Sequence, residues 1–224
     1  MGSQLTPIAF DIETTGFETD ALVTVVGFSL PIGCRVLLNT GGRSVDEAAM
    51  EHRLEETFET TLKLSSHQGE AELLEAVTSF AAEALTPREY LLVAYNGERY
   101  RNGFDLPFLR TRYALQDVPW PFVDLPYADV MPIFQHRFNT QLGDGAAADL
   151  ETVYETLVGR GLTAVDPFET SQEAVTAFEA GDFERLIQHN AADILRTRAL
   201  ASLAERYCGK SDFNLKSLTP TVCD

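Results

Sequence analysis

Lysine is almost missing from this chain of 224 residues. Only Lys63, Lys210 and Lys216 occur, and arginine supplies the rest of the 17 basic side chains. Against 34 acidic residues that leaves a formal net charge of −17. A lysine-rich coat that captures phosphate chains by bulk charge is therefore excluded. Cysteine is scarce too. Cys34, Cys208 and Cys223 have neither metal-ligand spacing nor the numbers for a disulfide framework, which points to a reducing, cytoplasmic setting. Long hydrophobic runs are lacking as well. The richest, residues 21–30, is broken by Thr24, Gly27 and Ser29, so it reads as a buried strand and no membrane partner is expected. There is no basic, apolar secretory leader. Without repeats or linkers, and with 45% hydrophobic residues, the chain reads as one domain over residues 1–224.

The acid excess has a second reading. Acid-rich, lysine-poor surfaces resemble those of proteins from halophilic archaea. In molar salt the Debye length falls to about 3 Å, so repulsion between such a surface and a phosphate chain is screened. Net charge alone thus leaves a nucleic-acid partner open. Between Arg99 and Arg112 stand four arginines, Arg99, Arg101, Arg110 and Arg112, with Asp105 the one acid. That local excess reads either as a solvated face or as a phosphate-contacting surface.

Periodicity predicts strands over residues 5–14, 21–30 and 34–39, with Pro31 and Gly33 at a tight hairpin turn. Residues 41–68 are polar and weakly patterned and read as a mobile insertion with at most a short helix. A helix is expected over 70–85, ended by Thr86-Pro87, then a strand over 90–95 stopped by Asn96-Gly97. A helix over 104–115 and a short final strand over 122–125 follow. Three helices close the chain, over 149–158, 172–180 and 183–207. Thr170 and Glu173 form a capping box for the second. The order implies an α/β fold with a mixed five-stranded sheet, an antiparallel meander feeding parallel crossovers, flanked by helices.

Three segments carry candidate chemistry. In Asp11-Ile12-Glu13, residues two apart on a strand point to one face, so two carboxylates stand side by side at a strand end. Such a pair is costly without a cation, and hard oxygen ligands suit Mg2+ or Mn2+. A solvated strand end is the plainer reading, but Ile8, Phe10 and Ile12 argue for burial. Asp105 opens a helix just past a parallel strand, where ligands gather in open α/β sheets; a simple helix N-cap is the other reading. His189 and Asp193 lie four apart in the last helix and share a face. A surface pair is the bland alternative there.

In order, Asp11-Ile12-Glu13-Thr14-Thr15-Gly16, then Asn96 with Phe104-Asp105-Leu106-Pro107-Phe108-Leu109, then His189 to Asp193 and Thr197, resemble the three motifs of the DEDD-type, ribonuclease H-like 3′–5′ exonucleases. The resemblance runs from about Ile8 to Leu200. Its third motif is similar to that of the branch near family B polymerase proofreading domains. It implies that Asp11, Glu13, Asp105 and Asp193 hold two divalent cations, Mg2+ or Mn2+. It also implies that His189 serves as base or water-orienting group, and that Thr14, Thr15, Gly16 and Asn96 meet the substrate. A free imidazole titrating near pH 6.5 suits that role. Phe17, Tyr100 and Phe104 are candidates for base stacking, with core packing the alternative, and Arg110 for phosphate contact. The implied partners are single-stranded DNA or RNA 3′ ends, and replication or repair proteins. The implied reaction releases nucleoside 5′-monophosphates.

Two departures stand out. The family carries a tyrosine one turn before the last aspartate, or a histidine one residue further back; here His189 occupies the tyrosine spacing. The interval between Asn96 and Phe104 is also longer than the family's. A catalytically weak or inactive nucleic-acid-binding module of the same fold is the alternative expectation.

Overall fold

The computed structural model describes residues 5–98, 104–143 and 145–222. Arg99, Tyr100, Arg101 and Cys223 lie outside them. The meander forms as expected: Thr6–Thr14 (β1), Val23–Leu30 (β2) and Gly33–Asn39 (β3), antiparallel throughout. Leu30 pairs with Gly33 across the two-residue turn Pro31-Ile32. There Gly33 has a φ of 135° and runs against the Thr61 carbonyl, where a Cβ would not fit.

Residues 41–68 are not a mobile insertion. They form a helix, Glu47–Phe58 (α1), and a strand, Leu62–His67 (β4), which pairs parallel to β3 and edges the sheet. Only Leu54 of the helix is fully buried, so hydrophobic periodicity hardly registers it. Its order comes instead from a polar ladder. Glu47, Glu51 and Glu55, one turn apart, accept hydrogen bonds from the backbone N–H groups of Ser66, Leu64 and Leu62 at 2.8, 2.8 and 3.0 Å. These are alternate donors of β4, the row an edge strand leaves unpaired.

Next come Glu70–Phe80 (α2), Tyr90–Ala94 (β5) and Asp105–Gln116 (α3). The first is extended by a wider turn, Ala81–Leu85, in which the Thr86 N–H reaches back to the Ala81 carbonyl. The strand expected over 122–125 falls instead at Pro126–Asp129 (β6), parallel to β5. Phe122 and Leu125 are buried without joining the ladder, because Asp124 turns left-handed (φ 55°) between them. A helix the sequence reading missed, Met131–Arg137 (α4), starts where Asp129 accepts from the Met131 N–H at 3.1 Å. A small hairpin follows, Gln141–Leu142 (β7) with Gly145–Ala146 (β8). Leu150–Leu157 (α5), Ser171–Ala180 (α6) and Phe183–Tyr207 (α7) match expectation, including the capping box of Thr170 and Glu173. Lys216–Ser217 (β9) closes the far edge on β6. The sheet therefore has seven strands in the order β4-β3-β2-β1-β5-β6-β9, the five expected ones widened by one at each edge.

Strand alternation sorts the core into two layers. Ile8, Phe10, Ile12, Val26, Phe28 and Leu92 pack beneath α2 and α3. Ala9, Val25, Val36, Leu91 and Val93 face α5, α6 and α7. A buried bidentate pair ties the first layer: Arg112 donates to Glu70 at 2.8 and 2.6 Å and to the Thr19 carbonyl at 2.7 Å, while Glu70 also accepts from the Val23 N–H. Removing one partner of such a pair typically costs about 3–5 kcal/mol. Arg112 is thus structural, which removes it from the arginines read as phosphate contacts.

The second layer depends on Gly27. It pairs across from Asp11, and a Cβ there would stand 1.9 Å from Asn190 Oδ1 of α7. Gly27→Ala is expected to force α7 off the sheet and to cost about 1–3 kcal/mol as an overpacking change, read as a lowered denaturation midpoint at unchanged slope; an unchanged midpoint would refute the close packing. Replacing Glu47, Glu51 and Glu55 together by alanine is expected to bare the β4 edge, cost about 0.5–1.5 kcal/mol per lost bond and produce concentration-dependent association in light scattering. The triple glutamine variant, which keeps the acceptors, should scatter like the parent.

Candidate active site

Asp11 and Glu13 follow Ala9 on the α7 face of β1, as the two-residue period requires. Neither is a solvated edge: β1 lies inside the sheet, and Glu13 is only 9% exposed. Asp11 Oδ2 accepts from Asn190 Nδ2 at 3.0 Å. Asp105 begins α3 beyond the end of β5 and is 8% exposed. Two backbone bonds seat it there, Phe104 N–H to the Asn96 carbonyl at 3.1 Å and Leu106 N–H to the Gly97 carbonyl at 2.9 Å. Gly97 has to be small: a Cβ would lie 2.8 Å from Asp105 Oδ2 and 2.7 Å from Ala94 Cβ. Asp193 comes from the middle of α7, where its Oδ1 accepts from Arg196 at 2.6 Å.

These four carboxylates lie within reach of one another's charge. Burial pushes Asp11, Glu13, Asp105 and Asp193 above the usual carboxylate range. Repulsion adds to it, from Asp105 and Asp193 on Asp11, from Asp11 and Asp193 on Glu13, and from Glu13, Asp129 and Asp193 on Asp105. A group of acids this buried and this close is unfavourable unless protons or cations share it. The donors are hard oxygens and can hold divalent cations of the Mg2+ or Mn2+ kind.

His189 reaches the same point from α7. Its Nε2 is 3.9 Å from Glu13 Oε1 and 3.8 Å from Asp193 Oδ2, and its Nδ1 is 2.8 Å from Asp166 Oδ1. Burial alone would lower its pKa; the hydrogen bond to Asp166 and the nearby Glu13 and Asp193 outweigh that and lift it to about 10. That lies well above the ordinary imidazole value of about 6.5. Asp166 in turn is held below its ordinary value: burial opposes this, and the bonds from His189 and Arg196 overcome it.

Several of these partners were invisible in the sequence. Asp166 sits in the connection between α5 and α6, where Asp-Pro reads only as a turn. Arg196, 1% exposed, donates from one nitrogen to both Asp166 and Asp193 at 2.6 Å. Asn190 is fully buried in mid-helix; an amide on the apolar side of α7 was the available signal. Asp129 accepts from the Asn96 and Met131 N–H groups at 2.9 and 3.1 Å and bears on Asp105.

The other expected residues divide. Glu13, Thr14, Thr15, Gly16, Phe17 and Phe104 line one cavity of about 160 Å³, joined by Gln172 and Val175 of α6. Phe17, 64% exposed, meets Phe104 edge-on at 5.1 Å. The two threonine hydroxyls are occupied locally: Thr14 donates to the Gly16 carbonyl and Thr15 accepts from the Leu22 N–H. Asn96 turns the chain left-handed (φ 63°) and serves through its backbone. Arg110 lies over the Trp120 ring at 5.5 Å, beside the C-terminal segment, and is not among the residues lining the cavity.

No curated protein matches the chain significantly. A protein family described as the RNase H superfamily (RNase_H_2) matches residues 8–205, a span that begins on β1 and ends in α7 and so takes in every acid of the cluster. The mixed sheet, its flanking helices and this match together establish that the chain belongs to the RNase H superfamily.

Proposed function

We propose that the chain is a 3′–5′ exonuclease that hydrolyses the terminal phosphodiester of single-stranded nucleic acid and releases nucleoside 5′-monophosphates. The observation that carries this reading is the convergence of Asp11, Glu13, Asp105 and Asp193 beside a small cavity walled by Phe17 and Phe104. Nucleases of this superfamily generally use divalent metals, and these four acids are the residues that would hold them. Two such ions would supply an activated water and stabilise the leaving 3′ oxygen.

The protein's own groups position the strand end. Phe17 and Phe104 offer ring faces to the terminal base, a contact worth about 1–3 kcal/mol per stacked base. The cavity is small, about 160 Å³, and bounded on one side by Gln172 and Val175 of α6, a size that suits a single terminal nucleotide's base. Asn190 keeps Asp11 turned toward its neighbours, and Arg196 does so for Asp193. In the hydrolysis the bond between phosphorus and the 3′ oxygen breaks. Water supplies the oxygen of the new 5′-monophosphate, and the shortened strand keeps a 3′-hydroxyl.

End-labelled single-stranded DNA and RNA in high salt with Mg2+ or Mn2+ should lose mononucleotides from the 3′ end, and chelation should stop this. Asp11→Ala and Asp193→Asn should reduce release to background. Asn190→Ala, removing a partner behind a ligand, should cost about 10–100-fold. Cleavage of circular single strands would redirect the reading to an endonuclease. Tight binding without hydrolysis would favour the inactive module.

The acid cluster also fixes a pH dependence for the chelated protein. Groups whose folded pKa is raised contribute stability that is complete below their unfolded values, near pH 4, and lost as pH rises through the folded ones. Chelated protein should therefore lose melting temperature as pH rises above about 4. Mn2+ should restore more at pH 8 than at pH 5, and Asp105→Asn should flatten the chelated profile. A metal-induced shift independent of pH would contradict this account of the cluster.

A further inference from the structure

His189 stands where the expected hydroxyl-bearing residue would be, but its surroundings are those of a ligand. We propose that His189 binds one of the site's cations through Nε2, together with Glu13 and Asp193, and that Asp166 is the carboxylate that aims it. The site would then prefer Mn2+ and neighbouring transition metals to Mg2+. The inference rests on the nuclease reading only in placing cations at this cluster.

The ring is fixed from behind. Asp166 accepts from Nδ1 at 2.8 Å and is itself held by Arg196 at 2.6 Å and by the Phe168 N–H at 3.2 Å. The Phe168 ring packs against the imidazole, centroid to centroid 5.3 Å. With Nδ1 committed as a donor, the neutral ring presents its lone pair at Nε2. That atom lies 3.9 Å from Glu13 Oε1 and 3.8 Å from Asp193 Oδ2. Both gaps are too long for hydrogen bonds. Each, taken singly, falls inside the roughly 4.2 Å that two ligands can span when each lies about 2.1 Å from a shared ion, and His189 and Asp193 belong with Asp166 to a group whose ligand atoms all lie within 4.8 Å of one another. The Asp193 oxygen facing the gap is the one Arg196 leaves free, since Arg196 holds Oδ1.

A carboxylate behind an imidazole is the usual way proteins orient a metal-binding histidine. Arg196 strengthens it here, because one buried guanidinium sets both Asp166 and Asp193. Imidazole nitrogen suits manganese, cobalt and zinc better than magnesium, which favours an all-oxygen shell.

The test is electron spin echo spectroscopy of the full-length protein loaded with Mn2+ and no nucleic acid. Nitrogen modulation is expected, changing to the 15N pattern when histidine is 15N-labelled, a readout that needs no variant. His189→Gln should abolish the modulation. Asp166→Asn should weaken Mn2+ binding about 10–100-fold by calorimetry, with much less effect on Mg2+. Absence of histidine nitrogen coupling in the parent overturns the proposal, as does a parent that binds no Mn2+, whatever hydrolysis it shows with Mg2+. Strand hydrolysis without coupling removes the ligand role and leaves the nuclease reading intact. Coupling without hydrolysis does the reverse.

Discussion

Four mutually repelling carboxylates, Glu13 and Asp105 buried and Asp11 and Asp193 partly so, are the constraint from which most of this structure follows. Each would be comfortable in solvent, and together in the sheet they repel. The fold meets part of that cost with fixed donors. Asn190 bonds Asp11, Arg196 bonds Asp193, and His189 stands between Glu13 and Asp193 with Asp166 behind it. Among the described residues no hydrogen bond reaches the Asp105 carboxylate, which feels the charges of Glu13, Asp129 and Asp193. The residual repulsion is what would make the site a cation receptor, with binding energy stored as unfavourable protein electrostatics.

Keeping those donors in place requires a close approach of helix and sheet, and small residues set the distance. Gly27 lets the Asn190 amide descend onto β2 opposite Asp11, and Gly97 leaves room for Asp105 at the mouth of β5. Both are packing requirements and not turn requirements. A glycine in mid-strand would otherwise weaken the sheet, and here it marks where α7 touches. The long helix thus acts as the backplate of the site, with Asn190, His189, Asp193 and Arg196 on successive turns.

What could be read from the sequence was what local periodicity determines. The i, i+2 pair Asp11 and Glu13, the i, i+4 pair His189 and Asp193, the hairpin at Pro31-Ile32 and the span of α7 follow from repeats of two and 3.6 residues. Elements organised by polar groups escaped. The α1 helix and β4 are joined by a glutamate ladder that looks, residue by residue, like a solvated loop. Pro126 and the left-handed Asp124 moved β6 downstream of its apolar flank. Asp166 and Arg196 are long-range partners, 30 residues apart, and no short-range pattern connects them. For the same reason the surroundings of His189 were not legible, since Glu13 comes from β1 and Asp166 from the connection ahead of α6.

The preference for arginine over lysine acquires a structural meaning once these partners are seen. Arg43 donates to the Phe178 and Glu179 carbonyls at the end of α6 and covers the Phe178 and Phe183 rings. Arg198 donates to the Leu30 carbonyl, Arg185 to the Pro167 carbonyl, Arg112 to Glu70 and Thr19, and Arg196 to two aspartates. A planar fork with several donors can join carbonyls, carboxylates and ring faces at once, which a lysine ammonium does poorly. These arginines are spent inside the protein and add little to a phosphate-attracting surface. In a chain with a net charge of −17, these five described arginines are not left to neutralise a nucleic-acid backbone. On the proposed exonuclease reading, attraction to a strand end would then come largely from cations at the acid cluster and from aromatic contact at Phe17 and Phe104. Both are short-range, and both keep their strength when salt screens the repulsive surface around them.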